Sequence, residues 1–477
     1  MASEDPAPAG RRRTALVIAS LLGLAFVSFV LASAIYPRVA NLFDFRAFYC
    51  AGSAVAEHHD PYRTEPLRSC WNASKGFPHG RGVPFAVPVP MPGYALAPFV
   101  LLSRLPFPIA AAFWVAVLLG SFASTVMLLH RLCKWRVETI FAALLLSEGL
   151  RSVFLGQIVP IVCAAAAAAA LFLTRGRDRA AALAAALTMF EPHLGLPVCL
   201  ALFIARPRSR VVLASCAVAC AAVSFALLGI DWNVEYVRDV LPAHLLSEIS
   251  NEEQYSLSYV AHLAGLDERA ASRLGALSYI VMLAAGIVAG RLAAARTRMP
   301  ALLLLVPPAF AVFGGPFVHV QQLAIALPAA LVLGSARRRE AGLCAAAIFL
   351  LAIPWGALAL LNVNLVLAAG IAFVLAHDLF DLPILRSALV SALVMAPLVI
   401  LLSSLGAHPV PAIGPIDLRD GSNLAEVGWR RFMDEDYRSG ILQNNVAKIP
   451  GWCGLLLIAL ASIGFDRSRL PAVYRRT

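Results

Sequence analysis

Nowhere in this chain does a polar interval run long enough to fold as a separate soluble module. Of its 477 residues only 14% are charged and 60% are hydrophobic, with a mean hydropathy of +0.77. Too little polar surface is available for a water-soluble globule of this size. No G-x-x-x-x-G-K-[ST] loop and no G-x-G-x-x-G turn occurs, which removes the usual cradles for nucleotides and dinucleotides. Internal repeats are not visible, and ionisable residues are nearly absent from the middle of the apolar runs. A transporter is expected to place such groups at the bilayer midplane on broken helices, usually in two related halves. The net charge of +11 does not make a nucleic-acid face either, because Lys and Arg fall in short clusters between apolar runs.

What the chain has in abundance is apolar runs, recurring from Thr14 to the C-terminus. They predict an all-α, polytopic integral membrane protein, a single membrane-embedded domain over residues 1–477 with roughly 12 to 14 transmembrane helices. The run Thr14 to Ile35 follows Arg11, Arg12 and Arg13 but is too long for a signal-peptide core and lacks a small-residue cleavage site, so it reads as a retained span. Further spans are expected near Pro108–His130, Val137–Phe154, Ile158–Thr174, Val211–Ile230, Gly275–Leu292, Pro300–Phe313, Val320–Gly334, Ala341–Leu361, Leu365–Leu379, Ser387–Leu405 and Pro450–Phe465. Ala180–Phe190 and Leu194–Ala205 are too short to cross comfortably and are expected to form a hairpin with Glu191-Pro192-His193 at its tip. Val83–Leu105 carries too many prolines for a regular span and reads as juxtamembrane or re-entrant structure.

The basic clusters orient these spans. With Arg131–Arg136, Arg175–Arg179, Arg206–Arg210, Arg296–Arg298 and Arg337–Arg339 in the cytoplasm, residues 36–107, 231–274 and 406–449 fall outside. The turns at Gly156-Gln157, Glu191–His193 and Gly314–His319 join them there. Most carboxylates lie in these outer stretches, so the outer surface is the expected working one. The densest polar stretch, Asn41 to Arg63, holds Asp44, Tyr49, His58-His59 and Asp60-Pro61-Tyr62. Cys50 and Cys70 are the only cysteines of the first outer stretch and are expected to pair where disulfides persist. His58-His59-Asp60 offers imidazole and carboxylate to a divalent ion, but a solvated loop explains the same residues. No cofactor is expected.

Asp44-Phe45-Arg46-Ala47-Phe48-Tyr49-Cys50-Ala51-Gly52, followed by Asp60-Pro61-Tyr62, resembles the D-F-x-x-F-Y-x-A-G and x-P-Y signature of glycosyltransferase family 87 in the GT-C superfamily. Pro90–Pro98 resembles that family's Y-P-P segment, with Met91 and Gly93 departing from it. Gly156-Gln157-Ile158 resembles its G-Q-N, Glu191-Pro192 stands where lysine-proline is usual, and His319 falls where an outer histidine is common. The likeness covers roughly Asn41 to Pro328 and implies a GT-C fold with extracytoplasmic juxtamembrane helices. It also implies transfer of a hexose, mannose by the resemblance, from a polyprenyl-phosphate-sugar donor to a glycolipid or glycan acceptor at the outer face of the cytoplasmic membrane. The bilayer is the one further partner, and no nucleic acid is expected. A lipid or lipid-linked-sugar flippase, with the outer loops gating a path, is the alternative.

Sugar transfer from a lipid phosphate to a hydroxyl passes through an oxocarbenium-like state, and needs a carboxylate to take the acceptor proton and positive charge at the departing phosphate. Asp44 has the position for that base, although aspartate is also a favoured helix N-cap. Arg46, Arg63, His58, His59 and His319 are candidates for the phosphate, guanidinium being suited to it bidentately. Asp60, Tyr62, Gln157, Glu191 and His193 complete the expected donor site. Interface snorkelling, aromatic belts and helix-helix hydrogen bonds are the competing readings for the arginines, tyrosines and Gln157. Glu191 and His193 are harder to assign to packing, since ionisable groups at membrane depth are costly unless they face a cavity.

Overall fold

The computed structural model of the protein describes residues 42–74, 86–133, 135–145, 147, 150–249, 251, 253–336, 338–352, 369, 372–373, 376–377, 382–404, 423–436 and 441–464. Among the described residues the regular structure is helical, and β pairing is confined to two isolated bridges, Arg63 with Leu424 and Gln254 with His319. The expected spans Thr14–Ile35 and, for the most part, Leu365–Leu379 lie outside the described residues, as does the first half of 406–449.

The described residues open with α1 (Phe43–Ala56) and α2 (Thr64–Ala73), and residues 86–92, without regular structure, lead into α3 (Gly93–Leu102). Next come α4 (Phe107–Cys133), α5 (Val137–Leu144), α6 (Leu150–Leu155) and α7 (Val159–Thr174). A hairpin of α8 (Asp178–Leu187) and α9 (Pro192–Ala205) follows, and then α10 (Pro207–Glu235), which passes through a π turn into α11 (Leu241–Ser247). Beyond them lie α12 (Leu257–Leu263), α13 (Glu268–Thr297) and α14 (Leu302–Gly314). A 3-10 turn over Val320–Ala326 leads into α15 (Leu327–Ala336) and α16 (Arg338–Ala352), and α17 (Ile384–Ser404), α18 (Ala425–Asp436) and α19 (Ile441–Ile463) close the order.

Among the described residues three continuous helical stretches, Phe107–Cys133, Pro207–Ser247 and Glu268–Thr297, are long and apolar enough to cross a membrane. At 1.5 Å per residue the 27-residue α4 exceeds the ~30 Å hydrocarbon core. α10 and α13 turn large apolar side chains outward, among them Val211 at 75%, Ile230 at 71% and Ile280 at 62% exposure. A bilayer would cover that surface. Inside the bundle the alanine run of α7 buries Ala166, Ala167 and Ala170 completely, which lets α4 and α8 approach closely.

Two expected spans differ from the structure. Val137–Phe154 is not one regular α-helix: α5 ends at Leu144, Leu145 and Ser147 take π-helical geometry, and α6 begins at Leu150. Val211–Ile230 does end in a break, since Gly229 leaves helical geometry at φ 64, ψ −165, but the helix resumes at once and carries Glu235, His244 and Ser247 beyond the apolar run. The apolar pattern marks the stop of lipid exposure rather than the stop of the helix. The short hairpin α8–α9 is present as expected, with Glu191 as the N-cap of α9. Residues 86–92 have no regular structure and α3 is short, in keeping with the prolines there.

Segments remote in sequence meet at one end of this bundle. Leu42 N donates to Phe154 O (3.1 Å), Thr64 N to Asn423 O (2.9 Å), Ala425 N to Tyr62 O (2.9 Å) and Tyr255 N to Val318 O (2.7 Å). Each of these pairs joins two stretches that the basic clusters assign to the same side.

Candidate active site

The site is built from the start of α1. Leu42, not Asp44, is the N-cap, and it makes no side-chain cap bond. Asp44 stands in the first turn, and its Oδ2 instead accepts from Gln157 Nε2 at 2.7 Å. The simple capping role is therefore replaced by a contact across the fold, although the helix dipole still favours an anion there. The neighbouring residue fixes the register. Phe45 is fully buried and stacks on Trp114 with ring centroids 5.6 Å apart, while Trp114 Nε1 donates to Gly156 O at 2.8 Å. A Cβ on Gly156 would sit 2.5 Å from Phe45 Cβ, and its φ of +77° suits glycine. At Gly52 a Cβ would lie 2.3 Å from Phe99 O. Both glycines are close-approach positions that bring α3 and the 156–157 turn onto α1.

The Cys50–Cys70 disulfide clamps α1 to α2, with Cα atoms 5.6 Å apart, as the sequence suggested. Three tyrosines act as braces. Tyr49 donates to Leu105 O (2.9 Å), Tyr62 to Met91 O (2.8 Å) and Tyr94 to Met189 O (2.9 Å).

Around Asp44 the other segments contribute carboxylates and imidazoles. Arg151 pairs with Glu253, and Glu248 accepts from Asn251 Nδ2 at 2.5 Å and from the Trp429 indole. His319 Nε2 lies 3.6 Å from Glu248 Oε2. The other side of that imidazole is also engaged, since the His319 side chain accepts from the backbone of Gln322 in a capping box, and Gln322 answers at the His319 amide, 2.9 Å. Gln322 Nε2 also approaches Glu191 Oε1 at 3.4 Å. His193 is held by its backbone, which accepts from Tyr279 at 2.7 Å.

Electrostatics separate these carboxylates. Burial pushes Asp44 up from its ordinary 3.8 to about 7; Gln157 and Arg151 oppose the shift, and Glu253 and Glu248 add to it. Burial also works against the charge on Glu248, but His319, His244, Asn251 and Trp429 outweigh it and hold that carboxyl below the usual range. Asp44 is thus a carboxyl poised near neutrality beside one that stays ionised. It remains partly exposed, so it is open to a substrate. A group of this kind can take a proton from an alcohol at working pH.

Other candidates are placed elsewhere. Arg46 is buried between Trp71 and Phe107, each ring centroid 5.2 Å from its Cζ, on the side of α1 away from Asp44. Tyr62, 1% exposed and stacked on Tyr236, is a core residue whose hydroxyl already has its acceptor. His58 and His59 are exposed in the turn after α1, about 20 Å from Asp44 by helical rise. Arg63 binds Asp60 at 2.9 Å and pairs with Glu235, tying the α1–α2 turn to α10. Among the described residues no three His, Cys, Asp or Glu side chains are grouped to hold a metal ion. The structure adds Arg151, His244, Glu248, Glu253 and Trp429, none of which stands in a recognisable motif. Apart from Arg151, which falls within the expected span Val137–Phe154, their only signal was the concentration of polar residues in stretches predicted to lie outside.

A helical bundle with membrane-crossing helices, and with polar chemistry gathered at one end from many segments, defines the protein as an all-α membrane protein. Residues 92–313 match the model of Glycosyltransferase family 87, and that match supports a glycosyltransferase of the GT-C type. No curated protein and no solved structure matches it. Asp44 precedes the matched stretch, but Gln157 and Gly156, its immediate partners in space, lie within it.

Proposed function

We propose that the protein transfers a hexose, mannose in the first instance, from a polyprenyl-phosphate donor to a hydroxyl of a glycolipid or glycan acceptor. Its site is taken to open on the outer face of the cytoplasmic membrane. The observation that carries this reading is the Asp44 carboxyl, anchored through one oxygen by Gln157, partly exposed, and shifted to about 7.

In a single displacement the acceptor oxygen forms the new bond to the sugar C1 as the bond from C1 to the phosphate oxygen breaks. The bonding pair departs onto the lipid phosphate, and the acceptor proton passes to Asp44. Ionised Glu248 near the reaction centre would favour positive charge developing on the sugar ring. Gln157 keeps the base oriented, as a hydrogen bond to the charged form must. Glu191, at the tip of the α8–α9 hairpin and within reach of Gln322, is assigned to the sugar. Arg63 and His319 are engaged by carboxylates, so their part in holding the phosphate is through that network. The flippase reading gains nothing from the family match.

The test is turnover by the purified full chain in nanodiscs, supplied with polyprenyl-phosphate-mannose and a panel of glycolipid acceptors. Release of polyprenyl phosphate that depends on an acceptor supports the transferase. Relocation of intact donor across vesicles, without release, contradicts it.

A further inference from the structure

Three imidazoles surround the ring of Phe317, and two of them have hydrogen-bonding capacity that the protein does not use. His244 lies 4.7 Å from Phe317, His319 4.7 Å and His193 6.0 Å, centroid to centroid. Both ring nitrogens of His244, a side chain only 8% exposed, are buried without a partner, and so is His193 Nε2. His319 differs, because the Gln322 cap and Glu248 occupy it. Buried polar atoms nearly always find partners, and leaving them unmet costs stability. An imidazole kept for packing would be better replaced by a phenyl ring.

The position of Phe317 accounts for the cost. It is partly exposed and its ring lies against all three imidazoles, two of them carrying the buried, unmet nitrogens. The charged and titratable groups facing His244 are Glu248, His319 and His193, and Glu248 already accepts from Asn251 and Trp429. His193 is the second residue of the 14-residue α9, whose N-terminal end favours an anion.

We infer that His244 and His193 form the binding site for the phosphate of the lipid-linked donor, and that Phe317 is its stopper. When the donor enters, the phenyl ring leaves its seat and the imidazole N–H groups donate to the phosphate oxygens. His319, braced by Glu248, forms the back wall. The inference rests on the transferase reading, and it makes His244 a ligand of the donor rather than a packing residue.

Equilibrium binding of radiolabelled polyprenyl phosphate to the full chain in nanodiscs tests it, with polyprenol as the phosphate-free probe. His244→Phe should weaken polyprenyl phosphate binding by ~10-fold or more, leave polyprenol binding unchanged, and raise the thermal midpoint by removing two unmet nitrogens. Phe317→Ala should speed association of polyprenyl phosphate. Nanodiscs of anionic and of zwitterionic phospholipid separate donor phosphate from ordinary headgroups: equal affinity in both supports the donor assignment, and strong competition by anionic lipid overturns it. Equal polyprenyl phosphate affinity in wild type and His244→Phe overturns the site. So does a variant that loses stability and both probes together, the pattern of a packing role. If the wild type transfers sugar while His244→Phe binds normally, this inference alone fails; if the wild type neither transfers nor binds, the transferase reading fails with it.

Discussion

The two ends of the helical bundle use ionisable residues in opposite ways. At the end that carries the basic clusters, the arginines act locally: Arg175, Arg177 and Arg210 are exposed, and Arg210 Nε caps the end of α9 at Phe203 O, 2.9 Å. Arg296 reaches further, donating to Ala461 O at 2.7 Å at the end of α19 and lying 3.5 Å from the buried Glu340. These are snorkelling and helix-end contacts, which satisfy carbonyls and set orientation. At the other end the carboxylates are buried or half-buried, and their partners come from far along the chain: Asp44 from Gln157, Glu248 from Trp429, Arg63 from Glu235. Positive charge at a membrane surface needs no partner. A carboxyl drawn out of water does, and a bundle that supplies such partners from several segments has organised that end for chemistry.

Substitution of Asp44 gives the widest separation between the two ends. Asp44→Asn should lower sugar transfer by ~100-fold or more, whereas Arg210→Ala at the other end should leave turnover unchanged. The Asp44→Asn protein should be no less stable. A native carboxyl raised to about 7 binds its proton more tightly than an unfolded one, so its contribution to stability is full below the unfolded value and is lost as pH rises through the folded one. Thermal melts of both proteins at neutral and mildly alkaline pH check this, and a wild type more stable there than the Asp44→Asn variant would count against burial of the charge.

Gly156→Ala strikes the junction that brings Gln157 to Asp44. A side chain at φ +77°, 2.5 Å from Phe45 Cβ, should cost at least ~2 kcal/mol, seen as a lower melting temperature in detergent. Gly176, where φ is +70° and an added Cβ would meet nothing within 4 Å, is the control at the basic end and should lose less. A smaller effect is expected from Gln157→Leu. Losing the hydrogen bond that lowers the Asp44 pKa moves it further up, so transfer at pH 7 should fall several-fold and recover as pH rises. The smallest is Tyr62→Phe, which removes one buried hydrogen bond to Met91 O and should cost about 1 kcal/mol with little change in turnover.

Much of this arrangement was legible in the chain. Apolar runs located most of the helices, and the basic clusters grouped the stretches that prove to meet at one end. The pairing of Cys50 with Cys70 and the closeness of the Asp44 and Gln157 segments also followed. What was not legible depends on tertiary contact. Arg46 reads as a phosphate ligand because a guanidinium is an obvious one, but its rotation on α1 sends it between Trp71 and Phe107. His58 and His59 stand in the same polar stretch as Asp44, yet the length of α1 carries them to its far end. Nothing in the spacing of Glu248, His319 and Trp429 marks them as neighbours, since 181 residues separate Glu248 from Trp429. The continuation of α10 past Gly229 was hidden because hydropathy reports where lipid ends, whereas backbone hydrogen bonding decides where a helix ends.

The most direct test is the pH dependence of transfer under single-turnover conditions, in wild type and Gln157→Leu, from about pH 5 to about pH 9. With Asp44 as a buried base, the wild-type rate should rise with pH through an apparent pKa near about 7 and then level, and the variant's rise should lie at higher pH. A wild-type rate that does not change across that range, or a rise at the same pH in both proteins, would contradict Asp44 as the proton acceptor.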